Sequence, residues 1–490
     1  MSLEKKLKTG RLARCGPKGG GLMNGAAIAN ALRAAGRIEA EGIETIRMVF
    51  ADPHGILRGK TVVAEALPSV LAAGLGVPST LLLKDLSHRT VFPVWSGDAG
   101  LSSNPLGGAG DVLLVPQPET LTRVPWSPHS AWMLSRPVYT NLETIPFEPQ
   151  GVLENAVSQL AEAGMAFTCG LEVEFHVFRV TDAARDHASA TMPPKPPATE
   201  LIAEGYKYLT ESVYDAAEPV LDEIRRAAQA MGLPVASVEV EMGPGQFEVT
   251  FAPGPPDVQA RHFVLFRTMV KELCARNGLH ATFMTRPAVE NCASSGWHIH
   301  QSVSDLKSGA NLFEPKKGED LTKTASGWIA GLLAHAGESC LLTTPTVNGY
   351  KRYQPFMLAP DRIQWARDNR GAMLRVLAGH GNAASRIENR VAEPAANPYY
   401  CLASQILSGL HGIRAGLEAP APVERPYDND TRRLPASLGE AIGLFEAGSL
   451  YREALGGEFV SYLSTLKRAE WSRYLSTVSE WEQAEYFTNF

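Results

Sequence analysis

GLEVEFHVF, Gly170–Phe178, alternates strictly between apolar and ionisable residues. Side chains two residues apart on an extended strand point the same way. Leu171, Val173, Phe175 and Val177 therefore share one face, and Glu172, Glu174 and His176 share the other. A half-buried strand normally turns its polar face to water. Two carboxylates side by side repel each other unless a cation lies between them. Taken alone, the segment fits a solvated edge as well as a cation site.

Three further segments pose the same choice. VEVEMGPGQFEVTF (Val238–Phe251) reads as two strands around a Gly-Pro-Gly turn, which can bring Glu241 and Glu248 together across a hairpin. SSGWHIHQS (Ser294–Ser302) puts His298, His300 and Ser302 on one face, beside Ser294 and Gly296. SRIENR (Ser385–Arg390) puts Arg386, Glu388 and Arg390 on one face. Such a stripe is either a surface ion-pair ladder worth little or a metal ligand between two guanidinium clamps for anions. Lys351, Arg352, Arg370 and Arg375 add positive charge upstream. Carboxylate oxygens with an imidazole suit Mg²⁺ or Mn²⁺ better than zinc. Cationic side chains beside such ions are what phosphoryl transfer requires.

The rest of the composition narrows the function class. The chain has 490 residues, enough for two domains, with 44% hydrophobic and 20% charged residues. A formal net charge of -6 gives no reason to expect a nucleic-acid or membrane partner. No apolar run reaches the roughly 18 residues of a membrane span. The six cysteines, at 15, 169, 274, 292, 340 and 401, form no C-x-x-C pair, so reduced thiols in the cytoplasm are expected. Met1–Gly21 is basic and glycine-rich without an apolar core, unlike a secretory signal; a disordered tail is favoured over a transit peptide.

Periodicity predicts an α+β chain. A helix is expected over Asn24–Gly42, then strands at TIRMVFAD (Thr45–Asp52) and KTVVA (Lys60–Ala64). A strand within Val124–Val138 closes a small sheet-rich domain. Helices are expected at Gly151–Gly164, Ser212–Met231, Val258–Asn277, Thr324–His335 and across Ser437–Trp471, with a long strand from Phe167 to Val180. Residues 182–198 are Pro-rich and read as an exposed loop. GILRGKT (Gly55–Thr61) imitates a phosphate loop, but only three residues separate its glycines and strand follows where a helix should. Neither G-x-S-x-G nor H-E-x-x-H occurs.

In order, spacing and flanking residues these segments resemble the glutamine synthetase superfamily, from about Ile38 to Lys467. The matching stretches are GLEVEFHVF, EMGPGQFEVTF, SSGWHIHQS, NGYKRYQPF, DNRGAMLRV and SRIENRVAEPAANPYYCLA; LPASLGEAIGLFE is also similar to that family. The resemblance implies an N-terminal extension over 1–37, a small β-grasp-like domain over 38–137, and a catalytic domain on a curved antiparallel sheet over 138–490. It implies rings of subunits, as in dodecamers, with sites between neighbours. Glu174, Glu241 and Glu248 match the ligands of one metal, and Glu172, His298 and Glu388 those of a second, with two or three Mg²⁺ or Mn²⁺ per site. His300 matches a residue near glutamate and phosphate. Arg352 and Arg390 match glutamate-carboxylate and phosphoryl contacts, Arg370, Arg375 and Arg386 match ATP-phosphate contacts, and Ser302 lies on the nucleotide side. Arg352, Arg370 and His300 are the catalytic candidates. The implied reaction activates the γ-carboxylate of glutamate with ATP as γ-glutamyl phosphate, which an amine then attacks.

The departures bear on the amine. Ammonium-using members carry an acidic residue six positions after the arginine matched by Arg352; here that position is Leu358. Their Asp-Gly-Ser-Ser motif is missing between Val63 and Pro105, and Asp85 is a poor substitute. A leucine neither holds ammonium nor removes its proton. An organic amine is therefore expected, alkyl or aromatic, in an apolar pocket of Tyr353, Phe356, Met357 and Leu358. Ala293-Ser294 replaces the Asn-Gly typical of the family beside the glutamate, so Ser294, Gly296 and Leu358 are read as substrate-binding. The alternatives are an ammonium-using glutamine synthetase, a catalytically silent relative and a metal-dependent hydrolase.

Overall fold

Two sheets organise the chain, seen here in a computed structural model that describes residues 25–95, 106–182, 186–354, 358–428 and 430–490, with Leu3, Leu7 and Leu101. The first contains β1 (Thr45–Ala51), β2 (Leu57–Val63), β3 (Leu75–Pro78), β4 (Asp111–Pro116), β5 (Thr122–Arg123) and β6 (Ser130–Val138). Its order is β2-β1-β6-β4-β3, with β5 beside β6. β1 and β6 are parallel and the other pairs antiparallel, as a β-grasp-like unit requires. Helix Gly25–Ala40 buries Ala31, Ala34, Ala35 and Ile38 in a cluster with Ile46, Met48, Leu71 and Met133. Residues 25–37, expected as an extension, thus pack on this sheet.

The phosphate-loop imitation is a turn into β2. Gly59 is needed there, since a Cβ would lie 1.8 Å from the Met48 carbonyl oxygen. The turn also joins the two halves of the chain. Asn397 caps helix Pro398–Arg414 with its Oδ1, while its Nδ2 donates to the carbonyls of Asp52 and Pro53 at 3.1 Å each.

The second sheet has nine strands: β7 (Met165–Val180), β8 (Thr199–Leu201), β9 (Val235–Val240), β10 (Gln246–Gly254), β11 (Leu279–Thr282), β12 (Trp297–Asp305), β13 (Trp365–Arg367), β14 (Leu374–Leu377) and β15 (Arg386–Asn389). The main path is β13-β14-β15-β12-β7-β10-β9, with β8 and β11 added to the end of β7. All pairs are antiparallel except β13–β14, an edge feature that the sequence reading did not anticipate. Leu171, Val173, Phe175 and Val177 pack into the core under helix Pro256–Arg276, as their alternation dictates.

Helices begin and end within two or three residues of expectation where caps are clear. Glu148 accepts from the backbone of Gln150 and Gly151 at the start of Pro149–Glu162. The C-terminal stretch is three helices, Leu438–Ala447, Leu450–Leu455 and Gly457–Leu475, rather than one. Gly448 and Gly456, the latter at φ 91°, interrupt it. No described helix is long and apolar enough to cross a membrane.

Candidate active site

Strand register assembles the site. Glu174 on β7 lies opposite Glu248 on β10, which lies opposite Glu239 on β9. One rung further, Glu172 faces His298 on β12 and Thr250 on β10. Beyond it, His300 faces Glu388 on β15, and Glu388 faces Arg375 on β14. Glu241 lies past the end of β9, its backbone N–H bonded to the Gln246 carbonyl above the turn closed by Gly245 at φ 63°.

The donor atoms converge. Glu172, Glu248 and His298 offer ligand atoms within 4.8 Å of one another, and so do Glu172, His300 and Glu388. Glu172 is common to both sets. Its Oε2 is 3.2 Å from His298 Nδ1 and its Oε1 2.7 Å from His300 Nε2. Glu174 Oε1 is 3.7 Å from His298 Nε2, while its Oε2 accepts from Gln246 Nε2 and from the Gly296 N–H, both at 2.9 Å. These groupings cut across the two ligand sets that the family resemblance implies.

The electrostatics call for a cation. Burial raises the Glu241 carboxyl to about 8 and also raises Glu248, and the charge of nearby Glu174 adds to both shifts. Burial also opposes ionisation of Glu172, but hydrogen bonds from His298 and His300 outweigh it and hold that carboxyl below its usual range. Glu388, buried, is held low by Arg390. The oxygen-rich set with one or two imidazoles therefore fits Mg²⁺ or Mn²⁺. Bound there, such an ion supplies a positive charge that shields phosphate oxygens and polarises them.

A sign follows for stability. Because Glu241 and Glu248 titrate higher in the folded chain than in the unfolded one, metal-free stability is lost as pH rises from about 4.5 through about 8 for Glu241 and about 10 for Glu248. Mn²⁺ or Mg²⁺ at a hundredfold excess over Kd should restore on the order of 3 kcal/mol. At one fixed metal concentration the melting-temperature gain should be larger at pH 8.5 than at pH 6, where protonated carboxyls weaken the apparent affinity; an equal gain at both contradicts the assignment.

The arginines flank this centre. Arg375 donates to Glu388 Oε2 at 3.1 Å and to Asp368, and Arg390 pairs with Glu388 Oε1. Arg386 Nε donates to His300 Nδ1 at 3.0 Å. Arg352, 2% exposed, donates to the carbonyls of Arg390, Val391 and Ala392. Arg352, Arg370, Arg375 and Arg390 line a cleft of about 770 Å³ together with Glu172, Glu174, Glu241, Glu248, His298 and Ser294. Ser294 Oγ and Arg390 Nε are buried without a hydrogen-bond partner. Gly296 must be glycine, since a Cβ would sit 2.6 Å from Arg352 Nη2 and 2.9 Å from His298 Nε2. Ser302, paired with Thr168 further along β12, is outside the cleft lining, as are His300, Glu388 and Arg386.

Two expectations change. His176 shares the face of Glu172 and Glu174 but is fully buried, because the loop at 292–295 folds over it; Ser295 Oγ lies 3.2 Å from its Nδ1 and Cys292 Sγ 3.4 Å from its Nε2. Tyr353 does not face the cleft. Its hydroxyl contacts Thr344 Oγ1 at 2.5 Å and donates to the Val391 carbonyl, so its ring packs against the core. Phe356 and Met357 lie outside the described residues. Leu358 does line the cleft, at φ 53° and 49% exposed. Other apolar side chains lining the same cleft are Tyr206, Tyr208, Leu209, Met242 and Ala359, which the sequence reading missed. Glu239 was missed too, although its i−2 relation to Glu241 was the signal for a shared face.

Glu393 joins the two loops that shape the cleft without entering it. It is fully buried and accepts from Thr285 Oγ1 at 2.5 Å, Thr346 N at 2.8 Å and Thr346 Oγ1 at 2.9 Å. Thr285 in turn accepts from the Ser295 N–H at 2.7 Å, and the turn after Thr346 carries Arg352. Glu393→Ala leaves three donors unpaired, one on buried Thr285 and two on half-buried Thr346, and is expected to cost about 3 kcal/mol. Denaturant unfolding measures it; a change under 1 kcal/mol contradicts the role.

The comparisons agree with this geometry. Residues 146–486 match the family described as "Glutamine synthetase, catalytic domain". The chain is 37% identical over 469 residues to a gamma-glutamylanilide synthase of Acinetobacter sp, covering 92% of this chain and 94% of that protein. It is 32% identical over 453 residues to a gamma-glutamylethanolamide synthetase of Streptomyces coelicolor, covering 92% and 94%. The solved structure "Apo GmaS without ligand" superposes with a TM-score of 0.76 at 26% identity, covering 93% of this chain and 99% of that one. With its fold, its glutamate–histidine centre and this family match in agreement, the chain belongs to the glutamine synthetase family, as an ATP-dependent carbon–nitrogen ligase of the γ-glutamyl-amine synthetase type.

Proposed function

We propose that the chain joins the γ-carboxylate of glutamate to an apolar alkyl or aromatic monoamine. The carrying observation is the contrast inside one cleft. Carboxylates, imidazole and guanidinium groups share its lining with Leu358, Tyr206, Tyr208, Leu209 and Met242. The charged groups suit nucleotide phosphate and glutamate, and the apolar side chains suit a hydrocarbon body. The anilide and ethanolamide named for the two relatives support an organic amine.

In the first step a γ-carboxylate oxygen of glutamate attacks the γ-phosphorus of ATP, forming γ-glutamyl phosphate and releasing ADP. In the second the amine nitrogen attacks the acyl carbon, phosphate leaves, and the nitrogen loses a proton. Arg352 and Arg390 orient the anionic glutamate and its acyl phosphate; Arg370, Arg375 and Arg386 hold nucleotide phosphates. Glu172, Glu174, Glu241, Glu248, His298 and Glu388 hold two or three divalent ions. Ser294 and Gly296 border the glutamate, His300 the transferred phosphate, and Ser302 the nucleotide. The enzyme works in the cytoplasm, in keeping with five buried free cysteines among the described residues, and its copies assemble in rings, as dodecamers, which light scattering tests.

The decisive experiment is an amine panel with ADP release as readout. Aniline and short alkylamines should support glutamate-dependent turnover, while ammonium and diamines should not. Full turnover on dilute ammonium would make the chain an ordinary glutamine synthetase. Absence of glutamate-dependent ATP consumption with every amine would make it a silent relative.

A further inference from the structure

Another cavity lies away from this cleft, in the seam between the two sheets. Its volume is about 390 Å³, within the size range of small-ligand sites, which favour domain seams. One wall comes from the N-terminal sheet, with Leu57 and Leu86; the other from the larger half, with Met284, Leu341 and Leu463. The lining is therefore mainly hydrocarbon.

Its charges do not balance. Glu272 on this lining is matched by Arg47 at 2.9 Å, and Lys467 by Glu470 at 3.0 Å. Two cations remain. Arg267 is 8% exposed and has no carboxylate partner; its guanidinium donates to the carbonyls of Gly55, Pro394 and Ala396. Lys271 stands one helical turn further on, lines the same cavity, and its ammonium has neither an ion pair nor a hydrogen bond among the described residues. Residues at i and i+4 share a helix face, so both charges bear on one end of an apolar space.

We propose that this seam cavity binds a small amphipathic carboxylate, its aryl or alkyl body between Leu86 and Leu341 and its carboxylate on Lys271. Arg267 reinforces the attraction from behind, since its side-chain donors are already taken by backbone carbonyls. The occupied cavity also touches the frame of the active site. Thr346 lines it and donates to Glu393, and Met284 directly precedes Thr285, the other Glu393 partner. The site stands on residues outside the catalytic cleft and is independent of which amine the enzyme uses.

The test is calorimetric titration of the full-length protein with 3-phenylpropanoate and with hexanoate, using 3-phenylpropan-1-ol as the uncharged control. Saturable binding of the carboxylates at millimolar concentration or below is expected, with the alcohol at least tenfold weaker. Lys271→Met, an exposed change that leaves the fold intact, should weaken carboxylate binding about tenfold. Leu86→Trp, at a partly exposed position of the lining, blocks the space and should abolish it in protein that retains its melting temperature. No saturable binding, equal binding of the alcohol, or binding that Lys271→Met leaves unchanged would each overturn the proposal.

Discussion

Glu172→Gln is expected to lower glutamate- and amine-dependent ADP formation by about 10²–10³-fold, the usual loss when one group that stabilises developing charge is removed. The cause is its double membership. Glu172 is the one carboxylate shared by the set with His298 and Glu248 and the set with His300 and Glu388. The amide keeps the shape and removes the negative charge, so both sets weaken together. It also removes the charged partner of two imidazoles, at 3.2 Å and 2.7 Å. The loss should fall on kcat, and the apparent metal requirement should rise. A melting temperature close to that of the parent protein separates this from misfolding. Near-parental turnover at low Mn²⁺ would show that the two sets do not depend on a common ligand.

Leu358→Glu should exchange one substrate for another. A leucine side chain buried against a ligand contributes about 1.5–3 kcal/mol, so kcat/KM for the best apolar amine should fall about tenfold or more. The new carboxylate would face a cleft that already holds Tyr206, Tyr208 and Glu241, and it offers ammonium a counter-charge. Ammonium-dependent turnover should therefore rise from background, with Leu358→Ala as the control that loses the hydrocarbon without gaining charge. The backbone at 358 has φ 53°, so both variants bear the same strain as the parent leucine. If Leu358→Glu and Leu358→Ala show the same amine preference, position 358 is not the discriminator.

Much of the frame was legible in the residues. β7 was readable because both its faces are chemically uniform, Leu171 to Val177 apolar and Glu172 to His176 polar. Helix Glu211–Ala230 was readable because Val213, Ala217, Leu221 and Ile224 recur at helical spacing. The break at Gly448 and Gly456 was less so, because apolar residues continue on both sides and only the backbone turn divides them. The apolar part of the cleft lining was only partly legible, for a similar reason. Tyr206 and Leu209 belong to a loop with no period, both at positive φ, while Tyr353 sits next to Arg352 in sequence yet turns toward Val391.

The glutamate–histidine centre shows the division most clearly. A two-residue period put the candidates on common faces, because side-chain direction along a strand is a local property, and the resemblance of the ordered segments to a family picked the ligand candidates among them. Which member meets which was decided only by the tertiary structure. Glu172 and His298 are 126 residues apart, and their meeting depends on the register of β7 against β12, set by how the whole apolar face packs. The same packing placed Glu239 opposite Glu248, withdrew His176 beneath a loop, and brought Leu358 to the lining of the same cleft as Glu241.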